Sequence, residues 1–327
     1  MRLKKPVQFK PTKAEDVVDL EDLTYPLIGM TKYDGVYGLV REGKLLGRSL
    51  KAMGNKPITE RLSREEYEGF VGELCYGKAL NTQDLCRLTT SHTSSHNKEW
   101  VDGFNWVLFD YCHPDVIHLP YIERLEALQE VISSLGYNGT DGIWVAPYRL
   151  YREPHEVLHA YDCNLELGYE GLILRQPDGA WKNGRSTLKQ QLFLRMKPQS
   201  DAEFIISGVV EAMQNNNEAK INELGHTERS SHQENKVGKG MIGAFLGIDL
   251  TSGKAITVGA GKLTHEERIQ AFLNPPIGSI GKYRSMTSGV KDLPRFPRFY
   301  SYRNLSDLDD TLVSKAEKII EEVLESV

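Results

Sequence analysis

The sequence predicts a mixed α/β or α+β domain over residues 1–198, followed by a small β-barrel domain over residues 199–327. Three observations predict this organisation. The length of 327 residues favours two domains over one large domain. Up to about residue 200, short apolar runs bounded by turn residues alternate with stretches of helical spacing, whereas strand-like runs with glycines dominate afterwards.

The predicted elements of the first domain follow from these two patterns. Stretches with apolar residues on one helical face predict helices over residues 120–135 and 154–161. The apolar runs that predict strands cover residues 38–40, 70–74, 106–109, 142–145 and 171–174.

In the second domain, strand-like runs cover residues 203–210, 241–250 and 255–258. Residues 214–239 are rich in Asn, Glu, Ser, His and Lys, so we expect a long exposed loop or an insertion there. Apolar residues among charges over residues 308–324 predict an amphipathic C-terminal helix.

Composition excludes several classes of protein. Hydrophobic residues make up 40% and charged residues 26%, which is enough apolar material for a core in each domain and excludes disorder of the bulk. No run of 18 apolar residues exists, and the basic start lacks an apolar stretch, so we expect a cytoplasmic protein without membrane contact. Four scattered cysteines, Cys75, Cys86, Cys112 and Cys163, form no Cys-x-x-Cys pair and are expected to be reduced.

Charge is sorted along the chain. The formal net charge is −5, which argues against binding of polyanions by bulk charge alone. Residues 179–200 nevertheless contain five basic residues and no acid, and residues 281–303 contain six basic residues against one acid. Such local clusters are what a phosphate-binding surface requires.

The segment Thr31-Lys32-Tyr33-Asp34-Gly35 carries the sharpest chemical signal. It follows an apolar run and offers a nucleophilic amine, a carboxylate, and a glycine that lets the backbone approach a ligand. Taken alone, an ordinary surface turn is the more frequent origin of such a pattern.

Further charged residues support a site. Glu73 and Glu170 each place a carboxylate at the edge of an apolar strand, where an unpaired charge is costly unless a ligand, metal or cation is near. Arg195 and Lys197 alternate with apolar neighbours, so a strand would present both cations on one face as a phosphate site.

The order of these motifs resembles that of the ATP-dependent DNA ligases of small phage type, in the covalent nucleotidyltransferase superfamily. The resemblance extends along nearly the whole chain, and seven individually weak motifs occur in the family's order. They comprise Lys32-Tyr33-Asp34-Gly35, Arg48-Ser49, Gly72-Glu73-Leu74, Leu108-Phe109-Asp110, Glu170-Gly171, Trp181 to Ser186, and Arg195-Met196-Lys197.

The resemblance implies an adenylation domain of antiparallel sheets with flanking helices, then an oligonucleotide-binding barrel. It implies nick sealing with ATP and Mg²⁺ or Mn²⁺ by a monomer that acts on nicked duplex DNA, in the host cytoplasm if phage-encoded. Lys32 would be the catalytic nucleophile. The implied nucleotide-binding residues are Thr31, Asp34, Gly35, Arg48, Glu73, Phe109, Glu170, Arg195 and Lys197; the metal ligands are Glu170 and Glu73; and the DNA contacts are Arg48, Lys182, Arg185, Lys189, Lys239, Arg295 and Arg298.

The chain departs from the family pattern at three places. Tyr37 stands where the family usually has an arginine, so Arg48 is expected to carry more of the contact to the nick's 5′-phosphate. Arg195 replaces a lysine, which keeps the charge but changes its geometry. After Arg303, the Asp and Lys of the family's closing motif are missing, and Arg295, Arg298 and Arg303 are candidates to assist the departure of pyrophosphate.

Two other functions stay open from the sequence. An RNA ligase or a GTP-using capping enzyme would share the lysine chemistry and the two-domain plan. A non-catalytic nucleic-acid-binding protein with such a barrel would have no need of Lys32, Glu73 and Glu170 in register. An NAD-dependent ligase is disfavoured, because the four-cysteine zinc module of that class has no counterpart in the sequence.

Overall fold

The structure, a computed structural model, describes residues 8–76, 89, 103–137, 142–286 and 294–326. Contacts divide the chain into two compact units, residues 1–197 with 222–226 and residues 198–221 with 227–327. Cys86 lies outside the described residues, and the other three cysteines are free thiols. Among the described helices, none combines the length and the apolar character needed to span a membrane.

One five-stranded sheet of the first unit has the order β2-β12-β10-β3-β9. Its central strands β3 and β10 are apolar and largely buried, because alternate side chains pack into two different apolar clusters, one on each face of the sheet. The strands are β2 (Glu15–Asp16), β3 (Leu27–Lys32), β9 (Tyr148–Tyr151), β10 (Gly171–Arg175) and β12 (Leu194–Met196).

The second sheet of this unit has the order β5-β4-β6-β7-β8. Glu42 and Gly43 both adopt positive φ, 52° and 65°, which suits the tight turn between β4 and β5. Trp106 of β7 is 1% exposed and belongs to the largest apolar cluster. The strands are β4 (Val36–Arg41), β5 (Lys44–Leu46), β6 (Phe70–Cys75), β7 (Asn105–Tyr111) and β8 (Ile143–Val145).

Among the described residues of the first unit, three α-helices and a short strand pair accompany the two sheets. Asn55 caps helix α1 (Lys56–Leu62) by accepting a hydrogen bond from the backbone of Ile58. Helix α2 (Tyr121–Ser134) buries Leu125, Leu128 and Ile132 on one face, as its apolar spacing predicts. Helix α3 is Pro154–Glu166, and the pair β1 (Thr12–Lys13) and β11 (Gly184–Arg185) runs parallel.

The second unit is a closed five-stranded barrel with the order β13-β16-β17-β19-β18. Its interior is apolar and aromatic, and helix α4 (His265–Leu273) starts with a capping box. A final amphipathic helix, α5 (Asp310–Glu325), packs apolar side chains against the barrel. The barrel strands are β13 (Gln199–Asn215), β16 (Lys236–Asp249), β17 (Ala255–Gly259), β18 (Ile280–Met286) and β19 (Arg295–Arg303).

The predicted fold class is confirmed, since sheets with flanking helices precede a closed barrel. The interpretation of residues 214–239 as a possible loop is wrong. Strands β13 and β16 extend into this segment, and it contains a hairpin of β14 (Ala219–Ile221) and β15 (Thr227–Arg229). The two strands of the hairpin are exposed and only three residues long, so their pattern is too short to predict strands from the sequence.

Candidate active site

Lys32 is the last residue of β3, a strand near the middle of the first sheet. It lies opposite Gly171 of β10, and its carbonyl oxygen accepts a hydrogen bond of 3.1 Å from the backbone of Glu170. The ammonium group of Lys32 also forms an ion pair with the Glu170 carboxylate. Their side chains are 18% and 22% exposed, so the pair is partly shielded from water but open to a ligand.

Gly35 brings the turn after β3 against strand β6. A Cβ atom at this position would lie 2.4 Å from the carbonyl oxygen of Leu74 and 2.7 Å from Cγ of Glu73. Both distances are shorter than side-chain packing permits, so a larger residue would push β6 away. The glycine of the lysine motif therefore has a steric function that its position in the sequence does not disclose.

Glu73 of β6 is a carboxylate with an unusual environment. Burial raises the pKa of Glu73 from 4.5 to about 7. Arg48 and Lys32 oppose this rise, whereas Glu170 and Asp34 add to it by repulsion between carboxylates. A hydroxyl donor or a cation bound beside Glu73 would therefore stabilise its ionised form.

A cavity of about 440 Å³ opens beside Lys32 within the first unit, a size suited to a small ligand. Seven predicted site residues line it, namely Thr31, Lys32, Arg48, Glu73, Phe109, Arg185 and Arg195. The other residues in the lining are Lys13, Ala14, Met30, Tyr33, Ala146, Ile173 and Phe193.

Apolar side chains from both sheets form the walls of this cavity. Met30 and Ile173 are register partners on β3 and β10 of the first sheet, and Phe109 comes from β7 of the second. The hydroxyl of Tyr121 on α2 donates a hydrogen bond of 2.7 Å to the Phe109 carbonyl oxygen, which fixes the backbone there. An aromatic ring opposite aliphatic side chains is a suitable slot for a flat base.

Arg195 is held by a carboxylate from its neighbouring strand. Its Nε and Nη2 atoms donate hydrogen bonds of 2.7 and 3.1 Å to the two oxygens of Asp16 on β2. Burial by itself would raise the pKa of Asp16, but the hydrogen bond and charge of Arg195 lower it. Lys197 follows the last residue of β12, and burial together with the nearby Arg195 lowers the pKa of Lys197.

Arg48 lies over the face of the Tyr37 ring, with its Cζ atom 4.5 Å from the ring centroid. Tyr37 is 5% exposed and also packs 6.3 Å from the Phe109 ring, centroid to centroid. At the position where the family usually has an arginine, this chain thus has a buried ring that supports the neighbouring arginine by a cation–π contact.

The remaining predicted residues of the first unit either contact a neighbouring side chain or are exposed. The hydroxyl of Thr31 donates a hydrogen bond of 3.0 Å to Oδ1 of Asn164 on α3. Lys182 contacts Gln190, and Lys189 is exposed on the surface of the first unit.

Asp34, Glu170 and Lys197 are not among the residues that line the cavity, although Glu170 contacts Lys32 directly. Within the barrel unit, Lys239 and Arg298 are exposed, and Arg295 stacks on Phe296 with 5.1 Å from Cζ to the ring centroid.

Sequence reasoning did not predict the contributions of Lys13, Asp16 and Tyr37 to this site. Lys13 lies in a two-residue strand, which is too short to show any periodicity. Asp16 meets Arg195 only because a parallel pairing joins segments 179 residues apart. The replacement of the family's arginine by Tyr37 was the one available signal for the stacked ring.

The donor set at the cavity fits a divalent metal. Glu170 and Glu73 offer carboxylate oxygens, which hard cations such as Mg²⁺ prefer, and their mutual repulsion contributes to the raised pKa of Glu73. Among the described residues, no group of three or more His, Cys, Asp or Glu side chains forms a protein-only metal cage. Such a site would leave coordination positions for substrate oxygens and water.

Comparisons with known proteins find DNA ligases among the similar sequences and structures. No protein-family model matches the chain. It is 24% identical over 226 residues to DNA ligase 2 of Haloquadratum walsbyi, an alignment that covers 64% of this chain and 35% of that protein. The Chlorella virus DNA ligase-adenylate structure is 26% identical, with a TM-score of 0.51, and the alignment covers 91% of this chain and 99% of the viral chain.

The chain is similar to small ATP-dependent DNA ligases. A structure from work on Lig E DNA ligases shares the fold with a TM-score of 0.65 at 17% identity, covering 91% of this chain and 100% of that one. These findings confirm the resemblance that the motif order predicts. The chain spans about a third of the length of the curated ligase it matches.

Proposed function

We propose that the protein is an ATP-dependent DNA ligase that seals nicks through a lysyl-AMP and a DNA-adenylate intermediate. The observation that carries the proposal is the grouping of Lys32, Glu73, Phe109 and Arg195 around one cavity, with Glu170 in contact with the lysine. These residues come from both sheets and are up to 163 positions apart, so a chance motif at Lys32 would not gather them.

The cavity provides a place for each part of ATP. Adenine would stack on Phe109 against Met30 and Ile173, because these are the apolar walls. Asp34 and Glu73 would accept hydrogen bonds from the ribose hydroxyls. The α-phosphate would then lie beside Lys32, where the cationic side chain of Arg195 also lines the cavity.

Lys32 must lose a proton before it can attack phosphorus. An ordinary lysine amine has a pKa of about 10.4, so only about one in two thousand is unprotonated at pH 7. The Glu170 carboxylate already accepts a hydrogen bond from the ammonium group and is placed to take its proton. The free Nζ lone pair would form a bond to the α-phosphorus as the bond to the pyrophosphate oxygen breaks.

A bound divalent cation would neutralise charge on the phosphate oxygens, with Glu170 and Glu73 as the residues that would hold it. The protein's own part is to position the groups. Arg48, supported by Tyr37, would bind the 5′-phosphate of a nick, whose oxygen attacks the AMP phosphorus and releases Lys32. The 3′-hydroxyl of the nick would then attack the activated 5′-phosphate and expel AMP.

Duplex DNA would be held mainly through its sugar-phosphate backbone, because an enzyme that seals any nick reads shape more than sequence. The residues we assign to this contact are Lys182, Arg185 and Lys189 in the first unit and Lys239, Arg295 and Arg298 in the barrel unit. Since each phosphate contact releases counterions, DNA affinity should fall steeply as salt is raised. We propose that the active species is a monomer.

The proposal is tested by intact mass after incubation with Mg²⁺ and either ATP or GTP. A ligase gains the mass of one AMP with ATP and no guanylate with GTP, and loses the adduct when a 5′-phosphorylated nicked duplex is added. Guanylation would favour a capping enzyme, and discharge by nicked RNA alone would favour an RNA ligase. No adduct with either nucleotide would favour a non-catalytic binding protein.

A further inference from the structure

We propose that Lys13, beside Arg185, forms a subsite for the pyrophosphate portion of ATP at the edge of the cavity. This inference rests on the proposed adenylation activity and adds a residue to it. Lys13 belongs to none of the motifs that carry the resemblance to ligases, and it lines the cavity together with Arg185 and Arg195.

The backbone around Lys13 is firmly fixed. Lys13 and Arg185 are register partners in the parallel pair of β1 and β11. The Lys13 carbonyl oxygen accepts a hydrogen bond of 2.8 Å from Ser186, whose side chain is fully buried. Its neighbours Thr12 and Ala14 are 5% and 7% exposed. Because both neighbours are anchored in the interior, the lysine side chain is left at the cavity wall.

The other cations that line the cavity each have a carboxylate or an aromatic ring as a partner within the protein. Among the described lining residues, Lys32 contacts Glu170, Arg195 is paired with Asp16, and Arg185 lies 3.6 Å from the carboxylate of Glu15. Arg48 lies over the ring of Tyr37.

Lys13 has no carboxylate within 4.0 Å among the residues that the structure describes. An incoming phosphate therefore does not have to compete with an internal carboxylate for this ammonium group. The charge-assisted contact to a phosphate should accordingly be made at little cost to the protein.

The location of Lys13 suits the leaving group of the adenylation step. The sheet order places β12, which contains Arg195, two strands from β3, and β2 three strands from it. At about 4.8 Å per strand, Arg195 and the start of β2 lie to one side of Lys32. Lys13 ends β1, two residues before the start of β2, and so lies towards that far side. In-line attack by Lys32 requires the pyrophosphate to point away from the nucleophile, towards such a row of cations.

Pyrophosphate also needs cations more than a single phosphate does, because it carries more charge. The Asp and Lys of the family's closing motif are missing after Arg303. Lys13 would supply one positive charge from within the same unit as the nucleophile. It would thereby stabilise the departing pyrophosphate during lysyl-AMP formation.

The test compares full-length wild-type protein with Lys13→Met and Lys13→Arg, and uses Lys44→Met as a matched control on an exposed strand outside the cavity. Each purified enzyme-AMP is treated with Mg²⁺ and increasing pyrophosphate, and ATP release is measured. In parallel, the ATP dependence of adduct formation and the rate of AMP transfer to a nick are measured. Thermal unfolding shows whether each variant is folded.

We expect Lys13→Met to require about tenfold or more pyrophosphate and ATP for half-maximal rates, because it lacks one charge-assisted contact. Transfer of AMP to the nick should stay within twofold of wild type, Lys13→Arg should recover most of the loss, and Lys44→Met should behave as wild type. An unchanged pyrophosphate dependence would overturn the inference. So would slowed transfer to the nick alone, or an equal loss in every step that Lys13→Arg does not recover.

Failure of the proposed function is distinguishable from failure of this inference. If the wild-type protein forms no AMP adduct, the ligase proposal fails before any variant is compared. If the wild-type protein forms the adduct and Lys13→Met matches it in every assay, only the pyrophosphate subsite is contradicted.

Discussion

Two carboxylates on neighbouring strands of one sheet have opposite electrostatic environments. Asp110 of β7 is 1% exposed and lies between Arg124 and Arg175, with contacts of 2.9 Å and 2.5 Å to their nitrogens. Glu73 of β6 lies beside the cavity among two further acids. Burial tends to raise the pKa of both, but the two arginines lower that of Asp110, whereas the pKa of Glu73 rises to about 7.

The contrast separates charges that are balanced within this unit from charges that are not. The charge of Asp110 is balanced by Arg124 and Arg175, and the rings of Tyr121 and Phe193 pack on Arg175. This cluster therefore needs no ligand to balance its charge. At the cavity, Glu73 and Lys13 are left with charges that the protein does not fully balance. Groups of this second kind gain most from a nucleotide or a metal.

The largest expected effect is the loss of activity on substitution of Lys32 at the cavity. Lys32→Ala should abolish nick sealing with ATP, since it removes the proposed nucleophile, while the free energy of unfolding changes by less than about 1 kcal/mol because Lys32 is partly exposed. Lys32→Arg should also be inactive, because a guanidinium stays protonated. Gel assays of nick sealing and urea unfolding check both statements, and a fully active Lys32→Ala variant would remove Lys32 from the mechanism.

At the buried cluster of Asp110, Arg124 and Arg175, a substitution should lower stability. Arg124→Ala should lower the free energy of unfolding by about 3–5 kcal/mol, because it leaves Asp110 buried with one partner fewer. The matched control is Arg64→Ala, an exposed arginine paired with Glu66 at 3.1 Å, which should cost less than about 1 kcal/mol. Equal costs in urea unfolding would mean that burial does not distinguish the two pairs.

A smaller effect, on DNA binding, is expected from substitution of Arg48, which lies over the ring of Tyr37. Arg48→Ala should weaken binding of nicks with a 5′-phosphate by about ten- to a hundredfold, since one charge-assisted contact is worth roughly 1.5–3 kcal/mol. Binding of a nick with a 5′-hydroxyl should hardly change, and AMP transfer to DNA should slow more than lysyl-AMP formation. Fluorescence anisotropy with both nicks measures this, and an equal loss would make Arg48 a general backbone contact.

Tyr37→Arg is not expected to rescue that variant. Tyr37 is buried and packs near Phe109, so an arginine there would bury a charge and disturb the wall of the cavity. Recovery of nick binding in the double variant would show instead that position 37 can reach the same phosphate as Arg48.

The smallest effect concerns the pH dependence of stability. A carboxyl whose pKa rises on folding binds its proton more tightly in the folded state, so its contribution to stability falls as pH rises from about 4.5 to about 7. Replacing Glu73 by Gln should remove this loss and raise the free energy of unfolding at pH 8, relative to pH 4.5, by on the order of 2 kcal/mol. Denaturant unfolding at several pH values measures this. The prediction would be contradicted if the free energy of unfolding depended on pH in the same way for wild type and Glu73→Gln.

The sequence predicted most of the local structure and the members of the cavity that belong to motifs. Apolar runs located the central strands because these strands are buried on both faces, and the motif order singled out Lys32, Glu73 and Phe109, which all line the cavity. The pairing of β6 with β7 brings the strands of Glu73 and Phe109 together, and the pairing of β3 with β10 brings Lys32 to Glu170.

The remainder depended on pairings between distant segments. Asp16 neutralises Arg195 through a strand of two residues, and no periodicity reports such a strand. The sequence also could not show that Tyr37 lies beneath Arg48, because the arginine stands in an irregular segment after β5. The exposed hairpin of β14 and β15 was missed for a similar reason, since each of its strands has only three residues.

The central claim, that Lys32 is the nucleophile of this cavity, is tested most directly by locating the adduct. Wild-type protein is incubated with ATP and Mg²⁺, digested, and its peptides are analysed by mass spectrometry under conditions that preserve the phosphoramidate bond. The AMP group should lie on the peptide that contains Lys32 and on no other lysine. An AMP group on a different side chain, or no AMP on any peptide, would contradict the account.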